Sequence, residues 1–219
     1  EYSIHPVLAA NRANLALAPL MYESLFTVVA VSQAKPVLCQ SYTSSEDKLV
    51  WTFTLRAGIT FSDGTPLTAQ EAADALNLAR SAGSRYQERL SDVTAVTPSE
   101  ANPYQFTITL RRANGALPLR LDIPIALGRE DRPAGTGPYV LAEDERALTA
   151  RNGWWQSEKS MPVSTILLRA VTKSDELIYA FDAGEISLVD VDLMATNAMG
   201  YGGNYQTWDY PSTGFLYLG

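Results

Sequence analysis

The chain has 219 residues, of which 46% are hydrophobic and 19% charged; 17 basic against 24 acidic side chains leave a net charge of −7. That composition suits a folded globular protein and excludes a disordered one. The acidic balance argues against a nucleic-acid partner and against charge-driven docking on an anionic membrane, and no apolar run reaches the 18 residues that suggest a membrane-spanning helix.

In chain order, the first signal is an apolar stretch over 15–31, interrupted by Pro19. Met21, Tyr22, Leu25 and Phe26 are spaced along it like one face of a short helix. Residues 49–56 alternate large apolar side chains with Thr, the period of a half-buried strand. Ala57-Gly58 turns the chain, Ile59 to Phe61 resume a strand, and Asp63-Gly64 makes a second tight turn. Thr68 followed by Glu71 is a capping box, and the Ala- and Leu-rich run from Ala69 to Arg80 predicts a helix ending near Gly83.

Residues 92–97 and 104–110 read as two strands joined through Pro98–Pro103. Residues 113–121 suit a short helix with Pro118 in its first turn. Gly135-Thr136-Gly137-Pro138-Tyr139 leads into a strand, and 147–151 and 164–171 read as further strands. Ser174, Asp175 and Glu176 open a helix that Gly184 stops. Val189 to Val191 read as a buried strand, 200–204 as a Gly-rich loop, and 205–210 and 214–218 as aromatic strands. The irregular alternation of short strands and helices predicts an α/β fold with mixed sheets.

No enzyme constellation assembles. His5 is the sole histidine and reads as a surface residue, without the partners a triad or a metal site needs. Cys39, the sole cysteine, reads as a small buried side chain rather than a nucleophile, and it excludes an internal disulfide. Glu46-Asp47, Glu130-Asp131 and Asp175-Glu176 fit turns or helix starts, and Asp190 with Asp192 fits a solvated strand face. Gly135-Thr136-Gly137 lacks the Lys-Ser/Thr ending of a phosphate loop. No cofactor and no metal are expected.

The segment from Trp51 through Phe61-Ser62-Asp63-Gly64-Thr65-Pro66 to Glu71 resembles the family 5 extracellular solute-binding proteins of ABC importers, the oligopeptide, dipeptide and nickel-binding type. It has their strand, Gly turn, Asp-Gly-Thr-Pro turn and capped helix in ungapped order. Tyr22-Glu23-Ser24-Leu25, Pro36-Val37-Leu38-Cys39, Gly135 to Tyr139, Asn152-Gly153-Trp154-Trp155 and Gly184-Glu185-Ile186 are similar to further motifs of that family, in its order. Cys39 stands for the usual Ala, Ser62 for His and Ser187 for Asp. Turn and core roles explain most of these residues.

The resemblance implies the first lobe of a two-lobed periplasmic-binding-protein-like fold with an inserted α+β subdomain. Residues 1–40 and 130–219 form the lobe without its C-terminal strand, 41–129 form the insert, and the second lobe is absent. It implies an extracytoplasmic protein, with a lipid anchor open. It also implies a monomer that hands a peptide or other small solute, held between hinged lobes, to ABC transporter membrane subunits. The expected cleft rim is two loops, Leu17, Ala18 and Pro19 before Tyr22, and Ser212, Thr213 and Gly214 after Tyr210; ordinary connecting turns are the competing reading of both. A ligand-sensing domain of a regulator, and a carboxylate-dependent hydrolase, stand as alternative functions.

Overall fold

The structure is a computed structural model that describes residues 3–9, 12–30, 32–159, 161, 163–169, 171 and 173–188. The chain divides into two units, Glu1–Leu167 and Leu168–Gly219.

The first unit opens with helix α1 (Arg12–Met21), which carries Pro19 two residues from its end. Strands β1 (Phe26–Ala30) and β2 (Gln33–Pro36) follow as an antiparallel hairpin with a register shift between Val28 and Ala30. The expected helical face over 15–31 is therefore split. Met21 closes α1, whereas Phe26 starts a strand, because Thr27, Val28 and Val29 are β-branched and favour extended backbone.

Strands β3 (Cys39–Ser44), β4 (Val50–Leu55), β5 (Val93–Pro98) and β6 (Gln105–Leu110) form an antiparallel sheet in the order β3-β4-β6-β5. The alternation read from the sequence sets its faces. Trp51, Phe53 and Leu55 are buried, as are Phe106, Ile108 and Leu110, while Thr52, Thr54, Thr107 and Thr109 lie on the other side. Phe53 stacks on Phe106 at 5.5 Å between ring centroids and meets Phe26 edge-on at 6.0 Å.

Helix α2 (Ala69–Ala79) packs on β5 and β6. Its N-terminus carries the expected capping box. The Thr68 hydroxyl accepts from the Gln70 N–H at 3.2 Å, and the Glu71 carboxylate accepts from the Thr68 N–H at 2.9 Å. The expected strand at Ile59 to Phe61 contracts to one bridge, Thr60 to Pro66. That bridge closes the turn in which Gly64 holds φ at 91°.

Leu117–Arg120 form a 3-10 helix with Pro118 in its first turn. Strands β7 (Ala126–Leu127) and β8 (Ala134–Gly135) pair. Strands β9 (Tyr139–Leu141), β10 (Ala147–Ala150) and β11 (Thr165–Leu167) make an antiparallel sheet in the order β11-β10-β9. A single apolar cluster joins Val7, Leu25, Phe26, Phe53, Leu76 and Ile123, so the segments before and after residue 40 share one core.

The second unit contains helix α3 (Ser174–Asp182), with Asp175 and Glu176 in its first turn. Lys173, not Ser174, occupies the N-cap and makes no side-chain cap bond. Gly184 ends the helix with φ at 72°. The Gly184 N–H donates to Phe181 O at 3.0 Å and the Glu185 N–H to Ala180 O at 2.8 Å, a Schellman closure. The strands and loop expected at 189–191 and 200–218 lie outside the described residues.

Candidate functional site

Three segments that lie far apart in the sequence converge at the end of α1. The Gly137 N–H donates to Met21 O at 2.9 Å, and the Tyr22 hydroxyl donates to Pro133 O at 2.9 Å. This approach needs glycine. A Cβ on Gly135 would lie 2.1 Å from Met21 O, and one on Gly137 would lie 2.5 Å from Met21 C. Both glycines of Gly135-Thr136-Gly137 are thus spent on packing against backbone.

The residue after Tyr22 carries the electrostatic centre. Glu23 presents its carboxylate to two donors from 133 residues along the chain or nearly so, Trp155 Nε1 at 2.7 Å and Gln156 Nε2 at 2.9 Å. Thr136 Oγ1 and Trp154 Nε1 are buried without a hydrogen bond of good geometry and face the same carboxylate. Burial raises the Glu23 pKa, and the surrounding donors oppose that rise. The backbone of Glu23 is tied as well, its carbonyl accepting from the Ile125 N–H at 2.9 Å.

Arg151 extends the arrangement to the Asp63-Gly64 turn. Its guanidinium donates to Thr60 O at 2.9 Å, Thr60 Oγ1 at 2.7 Å and Phe61 O at 2.6 Å. Its own N–H donates to Pro138 O at 2.7 Å. Burial lowers the Arg151 pKa, while Glu23 and Asp63 act to raise it. Arg56 completes the set. Its Nε donates to Val37 O at 2.7 Å and its guanidinium lies 5.8 Å from the Trp155 ring centroid. Residues 151–156 thereby clamp the end of α1, the 60–61 turn and the start of β9 together.

This clamp holds no nucleophile beside a base. What it does is fix the exit angle of α1 and the backbone of the Tyr22-Glu23 turn. A hollow of about 160 Å³ opens next to it, lined by Ile4, Met21, Tyr22, Ser62, Pro133 and Tyr139 among others. Enclosed sites for small organic ligands run from roughly 300 to 1,000 Å³, so this hollow alone is too small to surround one.

Of the expected rim residues, Leu17, Ala18 and Pro19 lie within α1 rather than in a loop. Leu17 is half-buried, Ala18 buried and Pro19 exposed. The expected loop is helical even though Pro19 interrupts the apolar stretch. Pro19 withholds the N–H that the Leu15 carbonyl would otherwise accept, and α1 ends two residues later. Ser212, Thr213 and Gly214 lie outside the described residues.

His5 is not the surface residue expected from its place near the start. It is 1% exposed. Its Nδ1 accepts from the Val7 N–H at 3.1 Å and the Leu8 N–H at 3.3 Å, and its Nε2 lies 3.3 Å from Gly128 O. These contacts hold residues 5–8 in a tight turn against the core. Burial lowers the His5 pKa, consistent with a neutral ring whose Nε2 carries the proton. Cys39 is fully buried, as the sequence reading has it, and burial pushes its thiol up to about 11. Among the described residues, no group of three or more His, Cys, Asp or Glu side chains is placed to hold a metal ion. No helix among them is long and apolar enough to cross a membrane.

Sequence reading missed the clamp as a unit. Glu23 and Trp155 each sit inside a segment singled out above, and Arg151 ends a predicted strand. Nothing in their spacing says that they meet.

The chain is 28% identical over 192 residues to the nickel-binding periplasmic protein of Escherichia coli K12, covering 78% of this chain and 36% of that protein. It is 33% identical over 172 residues to the glutathione-binding protein GsiB of E. coli O1:K1, covering 70% and 33%. The chain thus spans about a third of the length of these relatives. Among solved structures it is similar to the binding protein MoaA of Agrobacterium tumefaciens R10 in complex with mannopinic acid. There the TM-score is 0.74 and the identity 24%, covering 84% of this chain and 41% of that one. It is also similar to the oligopeptide-binding protein AppA of Bacillus subtilis with a bound nonapeptide, at a TM-score of 0.70 and 17% identity, covering 85% and 40%. These neighbours are two-lobed periplasmic binding proteins, and the combination of helices and antiparallel sheets in this chain matches part of each. The model of the bacterial extracellular solute-binding proteins, family 5, middle region, matches residues 33–219, and the chain belongs to that family.

Proposed function

We propose that this chain is part of the solute-binding component of an ABC importer, acting outside the cytoplasmic membrane and binding peptides in a cleft between two lobes. The single observation that carries this reading is the family match over residues 33–219, which takes in the 151–156 side of the clamp but not Glu23 or α1. The family and its relatives are binding proteins rather than enzymes, and we extend that to this chain. The peptide class is supported by the 33%-identical relative named for glutathione, itself a tripeptide. It is also supported by a relative named as a probable peptide-transport binding protein, 29% identical over 143 residues.

In this reading residues 1–40 and 130–219 contribute to the first lobe and 41–129 to an inserted subdomain. Leu17, Ala18 and Pro19, at the clamped end of α1, form one side of the cleft rim; Ser212, Thr213 and Gly214 form another. Peptide ligands of such a cleft are held by main-chain hydrogen bonds and by pockets tolerant of many side chains. The protein works as a monomer, lipid-anchored or free, and docks on the transporter's membrane subunits. Uptake tests it. Cells deleted for the complete protein should lose growth on a peptide nitrogen source and regain it on complementation. Unchanged peptide uptake in the deletion strain, measured with labelled peptides, would overturn the assignment.

A further inference from the structure

The clamp contains a chemically reactive dipeptide. Two Asn-Gly pairs occur in the chain, Asn114-Gly115 and Asn152-Gly153. Asn114 is restrained, because its Oδ1 accepts from the Ala116 N–H at 2.8 Å and its own N–H donates to Lys48 O at 3.2 Å. Asn152 and Gly153 are both exposed, and among the described residues neither the Asn152 carboxamide nor the Gly153 N–H has a hydrogen-bond partner. Gly153 turns the chain with φ at 72°, and nothing lies within 4 Å of where its Cβ would be. The residue that supplies the attacking nitrogen therefore has no side chain, open space on its Cβ side and the most permissive backbone.

We infer that Asn152-Gly153 is a site of spontaneous deamidation, and that its product loosens the clamp around Glu23. The Gly153 amide nitrogen attacks the Asn152 side-chain carbonyl carbon. The bond from that carbon to the carboxamide nitrogen breaks, and ammonia leaves carrying the Gly153 amide proton. The resulting cyclic imide takes up one water at either carbonyl, giving an aspartyl or an isoaspartyl residue; no oxidant or reductant is involved. Asparagine is among the residues that limit chemical durability. Either product adds a negative charge, and the isoaspartyl form also inserts a methylene into the backbone. Both changes fall between Arg151, which grips Thr60 and Phe61, and Trp155 and Gln156, which grip Glu23.

The test is to age the purified chain at mildly alkaline pH and map its peptides by mass spectrometry, with enzymatic methyl labelling of isoaspartate. Conversion at Asn152 is expected to outpace that at Asn114 several-fold in the native state, and the two rates are expected to converge in denaturant. Asn152→Gln, an exposed change, should abolish the signal at that position. The aged wild type should unfold at a lower denaturant concentration than when fresh, while aged Asn152→Gln should not. Conversion at Asn114 that matches or exceeds Asn152 in the native chain would overturn the site. Full conversion at Asn152 with an unchanged unfolding midpoint would overturn its link to the clamp.

Discussion

Trp155 Nε1 donates to Glu23 Oε2 at 2.7 Å, joining residues 132 positions apart. The bond is charge-assisted and half-buried, the class of hydrogen bond that contributes most. Trp155→Phe keeps an aromatic ring but removes the donor together with the five-membered ring that carries it. It should cost roughly 1–3 kcal/mol, the range for leaving a buried polar group unsatisfied. Urea unfolding of both proteins at one temperature measures this, and a loss confined to a few tenths of a kcal/mol would mean that the bond is incidental.

The same carboxylate carries a pH signature. Burial raises the Glu23 pKa above its ordinary value of 4.5. A carboxyl whose pKa is higher folded than unfolded favours folding most when protonated. Its contribution is full below the unfolded pKa and is lost as pH rises through the folded one. Glu23→Gln removes that titration. The stability of the wild type relative to Glu23→Gln should therefore improve as pH falls through the window above 4.5, measured by denaturant midpoints at stepped pH.

Gly137 and Gly115 give a matched pair. An alanine Cβ at Gly137 meets the Met21 backbone, whereas one at Gly115 meets nothing within 4 Å. Gly137→Ala should destabilise by about 3 kcal/mol or more, at or above the upper end of ordinary overpacking, because backbone rather than a side chain must move. Gly115→Ala should stay within about 0.5 kcal/mol of the wild type. Thermal denaturation of the two variants side by side decides it.

Cys39 offers a chemical readout of core integrity. It is fully buried, its thiol pushed up to about 11, and its Sγ lies 3.3 Å from Ser41 O. It should resist a maleimide at neutral pH in the folded chain and react completely in denaturant. Rapid labelling of the native protein would contradict its burial.

Local chemistry explains what the sequence made legible. The Thr68–Glu71 capping box, the period-two alternation of β4 and β6, the Gly64 turn and the Gly184 helix stop are each decided by residues within a few positions of one another. The motifs around the clamp were legible as family resemblance too. The hairpin β1–β2 and strand β3 were not read, because their outward residues lack the alternation that marks a half-buried strand. Only Phe26 is buried in β1 and only Cys39 in β3. The helical path of Leu17 to Pro19 is hidden by the proline, a residue that disfavours helix anywhere beyond its first turn. The burial of His5 and the meeting of Glu23 with Trp155, Gln156 and Arg151 depend on chain return over more than a hundred residues. No local pattern carries that.

The most direct measurement uses the complete natural protein that contains this segment. It is purified from its cells without added ligand and denatured, and the small molecules released are identified by mass spectrometry. Co-purified peptides, present in near-equal amount to the protein or after exposure to a peptide mixture, are the expected result. A protein that releases nothing in either condition, or that releases only a non-peptide solute, would contradict the assignment of this chain to peptide capture.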